Sequence, residues 1–178
     1  MGKILKLIFL VVILAIPAGI FTFLRYFGDN KFDVEIFFTQ GIETPIGNCE
    51  TTNEQYSVPK ELLSDSKVNI VVAFNRGDLK ILSNISARLK DTFGDKYDMI
   101  IFSQDSIHSD NTELLQVKIV DDLTKVMNCG FITDDVKSLV LVDKQNRIRG
   151  YYSDELDEID RLIVELKIII ENDQRIGD

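Results

Sequence analysis

The sequence predicts an α/β fold, in which helices flank a mixed sheet and one N-terminal transmembrane helix precedes it. A long apolar run without a charge opens the chain, two β-branched runs enclose a helical repeat in its middle, and a hairpin followed by an amphipathic helix closes it. The 178 residues suffice for one ordinary domain and an appendage. We predict a transmembrane anchor at 1–28, an extended lead-in with a short strand or hairpin at 29–66, and the sheet domain at 67–178.

The N-terminal apolar segment is long enough to cross a bilayer once. Residues 7–24 carry no charge and would form about 27 Å of helix, close to the ~30 Å hydrocarbon core. A cleaved secretory signal is the alternative, because Lys3 and Lys6 form a basic start. The apolar stretch exceeds the usual length for such a signal, and Ile16 interrupts the small-residue cleavage pattern. We therefore expect membrane attachment through residues 4–27.

The charge distribution predicts that the sheet domain lies outside the cytoplasm. Basic residues are slightly in excess before the apolar segment, which favours a cytoplasmic N-terminus and a single-pass protein of the inner or cytoplasmic membrane. Residues 1–28 carry three basic and no acidic side chains, so the remaining residues carry −12 of a total net charge of −9. A domain this acidic is a poor partner for nucleic acid or for anionic lipid headgroups.

Alternating and helical repeats predict the central elements. In the lead-in, apolar residues recur with a period of two over 32–38, which is typical of a short strand, and turn-rich residues 41–53 follow. Residues 68–74 and 97–102 form apolar runs typical of buried strands in a parallel unit. The helix between them has an apolar stripe and Gly94 as its C-cap: Ile81, Leu82, Ile85, Leu89 and Phe93. A weaker strand is predicted at 114–119 and a short helix at 121–127.

The C-terminal third predicts a hairpin and a closing helix. Residues 138–143 and 147–152 form its strands around a tight turn, and Ser153 caps a helix whose acidic first turn suits the helix dipole. The helix has one apolar stripe: Ile159, Leu162, Ile163, Leu166, Ile169 and Ile170. A parallel unit followed by an antiparallel hairpin and a helix is the plan of a thioredoxin-like sheet.

Part of the chain resembles a known family. The segments 139–152 and 157–162 are similar to the C-terminal portion of the Sco/SenC proteins, which are membrane-anchored, thioredoxin-fold copper chaperones of cytochrome c oxidase assembly. The N-terminal anchor and the Phe32-Asp33-Val34 lead-in agree with this resemblance, which is weaker over the rest of the chain. Hairpins of this kind also occur in peroxiredoxins and thiol reductases.

The resemblance implies a copper site that this chain lacks. The family binds copper through a Cys-x-x-x-Cys pair after the first core strand and a histidine before the hairpin, and soft sulfur ligands favour Cu(I). Other residues stand at these degenerate positions: Asn75, Arg76, Gly77, Asp78 and Asp135. The superfamily's cis-proline before the hairpin strand is missing as well. We therefore expect no catalytic residue, no metal and no cofactor at this family site, and we expect that the protein is not an enzyme.

The only two cysteines, Cys49 and Cys129, leave three alternatives open. A disulfide between them would tie the lead-in to the sheet domain and add about 2 to 4 kcal/mol of stability. They could instead be two free thiols, or a functional pair for redox chemistry or metal binding. Sequence cannot show whether their Cα atoms come within the ~7 Å that a bond requires.

Two further polar features are interpreted as solvated surface. His108, the only histidine, lies in a polar loop, and with Asp105 and Asp110 it matches no ligand spacing that a metal site requires. The remaining acidic pairs are interpreted as solubilising, with a partner-docking patch as the alternative: Asp121, Asp122, Asp134 and Asp135.

These observations favour a non-catalytic function. We predict a membrane-tethered, Sco-like accessory or docking module whose partner is a protein of a respiratory complex, during cytochrome c oxidase assembly. The alternative is a thiol-redox or copper-carrying protein that uses a re-sited Cys49/Cys129 pair. A third interpretation is a structural envelope protein that shares only the fold.

Overall fold

A computed structural model describes most of the chain. It covers residues 2–27, 32–65, 67–73, 79–105, 116–135 and 138–176. The chain divides into two units, Met1–Phe32 and Asp33–Asp178. The elements, in chain order, are α1 (Lys3–Phe27), a 3₁₀ helix (Lys60–Leu62), β1 (Val68–Ala73), α2 (Leu79–Phe93), β2 (Tyr97–Ser103), β3 (Gln116–Ile119), α3 (Leu123–Lys125), a π-helix (Val126–Gly130), β4 (Leu139–Val142), β5 (Ile148–Tyr152) and α4 (Leu156–Ile176).

The first unit contains α1, which includes Pro17. Its described apolar side chains are exposed, among them Phe9, Leu14 and Phe21. Among the residues that the structure describes, no helix has the length and apolar character needed to cross a membrane.

The second unit is built on one five-stranded mixed sheet in the order β3-β2-β1-β4-β5. Strands β1, β2 and β3 run parallel, whereas β4 is antiparallel to β1 and β5 is antiparallel to β4. The register places Val71 of β1 opposite Ile100 of β2 and Val140 of β4. The predicted parallel unit and hairpin are therefore confirmed as the centre of a thioredoxin-like sheet, and β3 adds a fifth strand at its edge.

Both faces of the sheet are covered, so every residue of β1 is buried. Val68, Ile70 and Val72 contribute to the core beneath α2 and α4. Val71 and Ala73 contribute to a second core, made with the lead-in and the segment around α3. The alternation of β1 side chains between two apolar layers explains the continuous apolar run in its sequence.

The helices differ from the prediction in two places. The short helix predicted at 121–127 begins at Leu123 after its N-cap Asp122, and it continues as a π-helix to Gly130. The closing helix begins at Leu156 rather than directly after Ser153. Ser153 Oγ accepts from the Glu155 amide at 3.4 Å, so this side chain stabilises a local turn before the helix.

The lead-in packs along the sheet without forming the predicted strand at 32–38. Its backbone bonds to the hairpin at two points, from the Phe37 amide to the Ile148 carbonyl at 2.9 Å and from the Val58 amide to the Asn146 carbonyl at 2.8 Å. A single antiparallel bridge joins Ile42 to Thr52. Four side chains of the lead-in are buried in the two cores and anchor this segment: Val34, Ile42, Val58 and Leu63.

A buried arginine fixes the start of the lead-in. Arg149 of β5, with its side chain 5 % exposed, donates to Asp143 Oδ2 at 2.9 Å, to Asp33 Oδ1 at 2.7 Å and to the Glu35 carbonyl at 3.1 Å. Asp143 is itself 1 % exposed, and Arg147 also donates to it at 2.8 Å. Every buried charge in this cluster is therefore paired and hydrogen-bonded, as its desolvation requires.

Candidate functional site

The edge of the sheet where the family's ligands would stand is described in part. Strand β1 ends at Ala73 and α2 begins at Leu79. The degenerate positions Asn75, Arg76, Gly77 and Asp78 lie between them, outside the described residues. His108 and Asp110 are outside them too.

Asp135, the residue that the resemblance places where the family has its histidine, is described and lies shortly before β4. Ser138 Oγ donates to its carboxylate at 2.9 Å, and the Ser138 amide donates to its carbonyl at 3.2 Å. The Asp135 amide donates to Thr133 Oγ1 at 3.2 Å. These short-range bonds are typical of an Asx or Ser/Thr turn, so the carboxylate contributes to turn structure at this edge.

No metal site is found in the described part of the chain, where no three His, Cys, Asp or Glu side chains are grouped closely enough to hold an ion. Asp105, Asp121, Asp122, Asp134 and Asp135 are described and exposed, and all fall outside any such group.

Cys49 and Cys129 form a disulfide. Their Cα atoms are 5.3 Å apart, and 80 residues separate them in sequence. Both residues are partly exposed. Because they are the only cysteines of the chain, no thiol is free. Of the three alternatives that the sequence leaves open, the structure shows the bonded pair.

The disulfide joins the lead-in to the π-helix, and a tyrosine hydroxyl reinforces the same junction. Tyr56 Oη donates to the Cys129 carbonyl at 2.7 Å and to the Gly130 carbonyl at 3.0 Å. Burial raises the pKa of Tyr56 to about 12, so its hydroxyl remains a donor at neutral pH. These carbonyls terminate the π-helix, where main-chain acceptors have no partner within the helix.

A second tyrosine continues this arrangement from the hairpin. Tyr151 Oη donates to the Phe131 carbonyl at 2.8 Å and lies 3.4 Å from the Ile132 carbonyl. Burial raises the pKa of Tyr151, and the nearby Tyr56 adds to that shift. The two hydroxyls thus lie within hydrogen-bond distance of four consecutive carbonyls, and we name Tyr56 and Tyr151 the tyrosine pair.

The tyrosine pair lies beside Ile132, which has a strained backbone conformation. Ile132 has a φ of +51°, in the left-handed region that β-branched side chains rarely adopt. Such a conformation persists only where the surroundings enforce it. Ile132 is buried, and the bonds from Tyr151 to residues 131 and 132 supply part of that enforcement.

The sequence did not predict the role of the tyrosine pair. Tyr151 fits a strand by propensity and alternation alone, and Tyr56 lies in a stretch without a clear repeat. Their acceptors are 73 and 74 residues away for Tyr56, and 20 and 19 residues away for Tyr151. Only the folded arrangement of the lead-in and hairpin brings them together.

The location of the disulfide does not favour a reactive thiolate. Redox-active cysteines usually lie at helix N-termini or beside cations, where the thiolate is stabilised. Cys129 instead lies at the C-terminal end of the helical segment 123–130, at the negative end of the helix dipole. A thiolate there would be disfavoured, so we expect the oxidised pair to be hard to reduce.

Comparison with solved structures finds several matches at low sequence identity. A SCO1/SenC family lipoprotein from Bacillus anthracis is 13% identical, with a TM-score of 0.47, over 79% of this chain and 96% of that chain. BsSco, described as a member of the Sco family of cytochrome c oxidase assembly proteins, is 10% identical, with a TM-score of 0.48, over 78% and 98%.

A protein of another class is also among the matches. The mitochondrial 2-cys peroxiredoxin from Plasmodium falciparum is 15% identical, with a TM-score of 0.44, over 81% of this chain and 95% of that chain. No family model and no curated protein matches the chain. Identities and TM-scores this low carry no conclusion about function, and one fold serves many functions.

Proposed function

We propose that this chain is a membrane-tethered, Sco-like thioredoxin-fold protein that acts as a non-catalytic accessory or docking module in the assembly of a respiratory oxidase. One observation carries the proposal: the only two cysteines of the chain are bonded to each other. A Cu(I) carrier needs at least one available thiolate. The oxidised chain has none.

The proposed location follows from two features of the chain. Disulfides persist in oxidising compartments, which supports placing the sheet domain outside the cytoplasm. The uncharged segment 7–24 supports a retained N-terminal anchor. The connection to cytochrome c oxidase assembly rests on the resemblance of residues 139–152 and 157–162 to the Sco/SenC proteins.

A Cu(I) competition titration tests the absence of metal chemistry. The full chain is titrated in its oxidised form and after reduction, beside a Cys49→Ser, Cys129→Ser variant. We expect no binding beyond that of the variant. Tight, stoichiometric binding that the variant loses would replace the proposal with a re-sited copper site.

Deletion of the encoding gene tests the link to oxidase assembly. We expect less assembled oxidase, measured by its haem absorbance, and recovery upon expression of the wild-type chain. An unchanged oxidase content would remove the oxidase from the proposal and leave the non-catalytic interpretation in place.

The second candidate is a thiol-redox function of the Cys49/Cys129 pair, and one observation favours it: the two sulfurs are bonded at a partly exposed position. The measurement that separates the candidates is the reduction potential of the pair in dithiol buffers. A structural disulfide is expected below about −300 mV, whereas a redox-active pair lies well above that value. The position of Cys129 at a helix C-terminus leads us to expect the lower potential.

A further inference from the structure

The two edges of the sheet differ in how far other segments cover them. The lead-in runs along the β5 edge and bonds to the hairpin, through the Phe37 amide to the Ile148 carbonyl and through the Val58 amide to the Asn146 carbonyl. Covering an edge strand in this way protects a sheet from unwanted pairing. Strand β3 forms the other edge.

The outer side of β3 carries main-chain groups without a partner in the described part of the chain. The Val120 amide donates to the Ser103 carbonyl of β2 at 2.9 Å. Because peptide groups alternate in direction along a strand, Lys118 and Gln116 also face β2, while Val117 and Ile119 present their N–H and C=O groups outward. No backbone bond joins these outward groups to another described residue.

The side chain of Lys118 does not protect this edge from pairing. An edge lysine commonly prevents pairing. Lys118 Nζ instead donates to the carbonyls of Glu61 at 3.0 Å and Leu63 at 3.2 Å, beneath the lead-in. Ile119 is 60% exposed. The strand therefore offers two outward amides and an uncovered β-branched side chain, which is the combination that accepts an additional strand.

The charges around β3 select among partners for such a strand. Glu61 and Asp65 are exposed near Lys118, and Asp121 and Asp122 follow the strand and are exposed as well. The chain beyond residue 28 carries a net charge of −12. A second copy of the chain would place carboxylates opposite carboxylates, which repel each other. The same carboxylates would attract a basic segment.

We propose that the β3 edge docks an extended, Lys- or Arg-rich segment of a partner protein, which adds a sixth strand to the sheet. This inference rests on the proposed docking function and names the surface and partner chemistry that it would use. Main-chain bonds to Val117 and Ile119 supply affinity, and alternating cationic and apolar side chains supply recognition, with the apolar side chains on the face of Ile119.

The test uses a synthetic peptide of alternating lysine and valine and the full isotope-labelled chain in non-ionic detergent. Binding is followed by amide NMR and hydrogen exchange. We expect exchange to slow at the Val117 and Ile119 amides upon binding, with a loss of binding for a matched peptide of alternating glutamate and valine. Added salt weakens binding to the cationic peptide.

A proline substitution provides the specific control. Ile119→Pro removes one outward N–H and leaves the inward bonds of Lys118 and Val120 to β2. Ile119→Val keeps the N–H and the β-branched shape. We expect Ile119→Pro to bind the cationic peptide about three- to tenfold more weakly and Ile119→Val to bind it normally. Unchanged amide spectra for the rest of the sheet show that both variants are folded.

Three results would overturn this inference: equal binding by Ile119→Pro, equal binding of the acidic peptide, or concentration-dependent protection of Val117 and Ile119 without a peptide. The last result would identify a second copy as the occupant. Each of them leaves the Cu(I) titration unaffected, so the loss of this edge as a docking surface is distinguishable from the failure of the proposed function.

Discussion

At the scale of single residues, the buried charge cluster gives the largest expected effect. Arg149→Met leaves the carboxylate of Asp143, which is 1 % exposed, without one of its two arginine partners. It also releases Asp33 and the carbonyl of Glu35. Removing one partner of a buried ion pair costs about 3–5 kcal/mol, so we expect the free energy of unfolding in urea to fall by that amount.

Arg147→Met is the matched control for this prediction. Arg147 contacts the same carboxylate, but its side chain is 28 % exposed and makes no hydrogen bond or ion pair with a described residue of the lead-in. We expect a loss of about 1 kcal/mol. Equal losses for the two variants would show that the bonds from Arg149 to the lead-in add nothing to the free energy of unfolding.

Gly150 illustrates a steric requirement on β5. A Cβ atom at this position would lie 2.3 Å from Tyr152 Oη and 2.6 Å from its Cζ. The Tyr152 ring cannot retreat easily, because it is buried and its hydroxyl donates to Glu165 at 2.5 Å. We expect Gly150→Ala to lower the free energy of unfolding by about 1–3 kcal/mol.

A double-mutant cycle isolates the cause of that loss. If the clash with the ring is responsible, Gly150→Ala should cost much less in a Tyr152→Val background than in the wild type. Additive losses would instead point to a general intolerance of side chains in β5. Gly94→Ala serves as a reference for a glycine substitution without a steric clash. Gly94 has a φ of +61°, but the space around its Cβ position is open.

The buried tyrosines predict a loss of stability at alkaline pH. Burial raises the pKa of Tyr56 and of Tyr97 to about 12, from an ordinary value of 10.0. Because the folded pKa exceeds the unfolded one, this contribution to stability is complete below about pH 10 and is lost as the pH rises through about 12. Burial raises the pKa of Tyr151 as well, which extends the loss in the same direction.

Urea unfolding measured from about pH 9 to about pH 12 tests this dependence. We expect stability to fall most steeply above pH 10, and the fall to be shallower in a Tyr56→Phe, Tyr97→Phe variant. A wild-type curve parallel to that of the variant would show that these hydroxyls titrate alike in the folded and unfolded chains.

At the scale of elements, the disulfide ties the lead-in to the π-helix and closes a long loop. The bond joins residues 80 positions apart, for which the loss of chain entropy in the unfolded state predicts about 4.5 kcal/mol of stabilisation. We expect Cys49→Ser, Cys129→Ser to lower the free energy of unfolding by about that amount. The reduced wild type should match the variant, because both lack the same covalent link.

Persistence of the native sheet in the reduced wild type is part of this prediction. Tyr56 and the Arg149 cluster hold the lead-in independently of the disulfide. Near-ultraviolet circular dichroism should therefore remain native in mild conditions after reduction. Complete unfolding upon reduction would show that these contacts depend on the disulfide.

The sequence predicted elements well where a repeat is strong. The apolar runs at β1 and β2, the stripe of α2 and the hairpin β4–β5 were all identified, because both faces of each strand or one face of the helix are buried in a continuous core. The left-handed Gly94 also ended α2 as predicted. Local propensity and tertiary packing agree at these elements.

Prediction failed where tertiary contacts determine the backbone. The last carbonyls of the π-helix at 126–130 accept bonds from Tyr56, which is remote in sequence. The alternation at 32–38 lacks a strand because this segment bonds to the hairpin through Phe37 and Arg149 rather than through a full ladder. The disulfide was one of three open alternatives, since cysteine spacing alone does not determine distance.

At the scale of the whole molecule, the second unit buries part of its sheet beneath the lead-in. Ile42, Val58 and Leu63 belong to the same core as Val71 and Val140, on the face away from α2 and α4. The lead-in is therefore a structural layer of this unit. A sheet deprived of it would expose a contiguous apolar face to water, which favours aggregation.

Two truncations test this organisation. A chain beginning at residue 28 keeps the whole of the second unit, which starts at Asp33, and we expect its urea midpoint to match that of the full chain. A chain beginning at residue 67 loses the buried lead-in side chains, the disulfide and the Asp33 contact of Arg149. We expect it to be insoluble or to lack a cooperative transition, because several losses of about 2–4 kcal/mol each exceed the usual stability of a domain. If the shorter chain unfolded with the same midpoint as the longer one, the lead-in would be an independent appendage and the sheet would need no second layer.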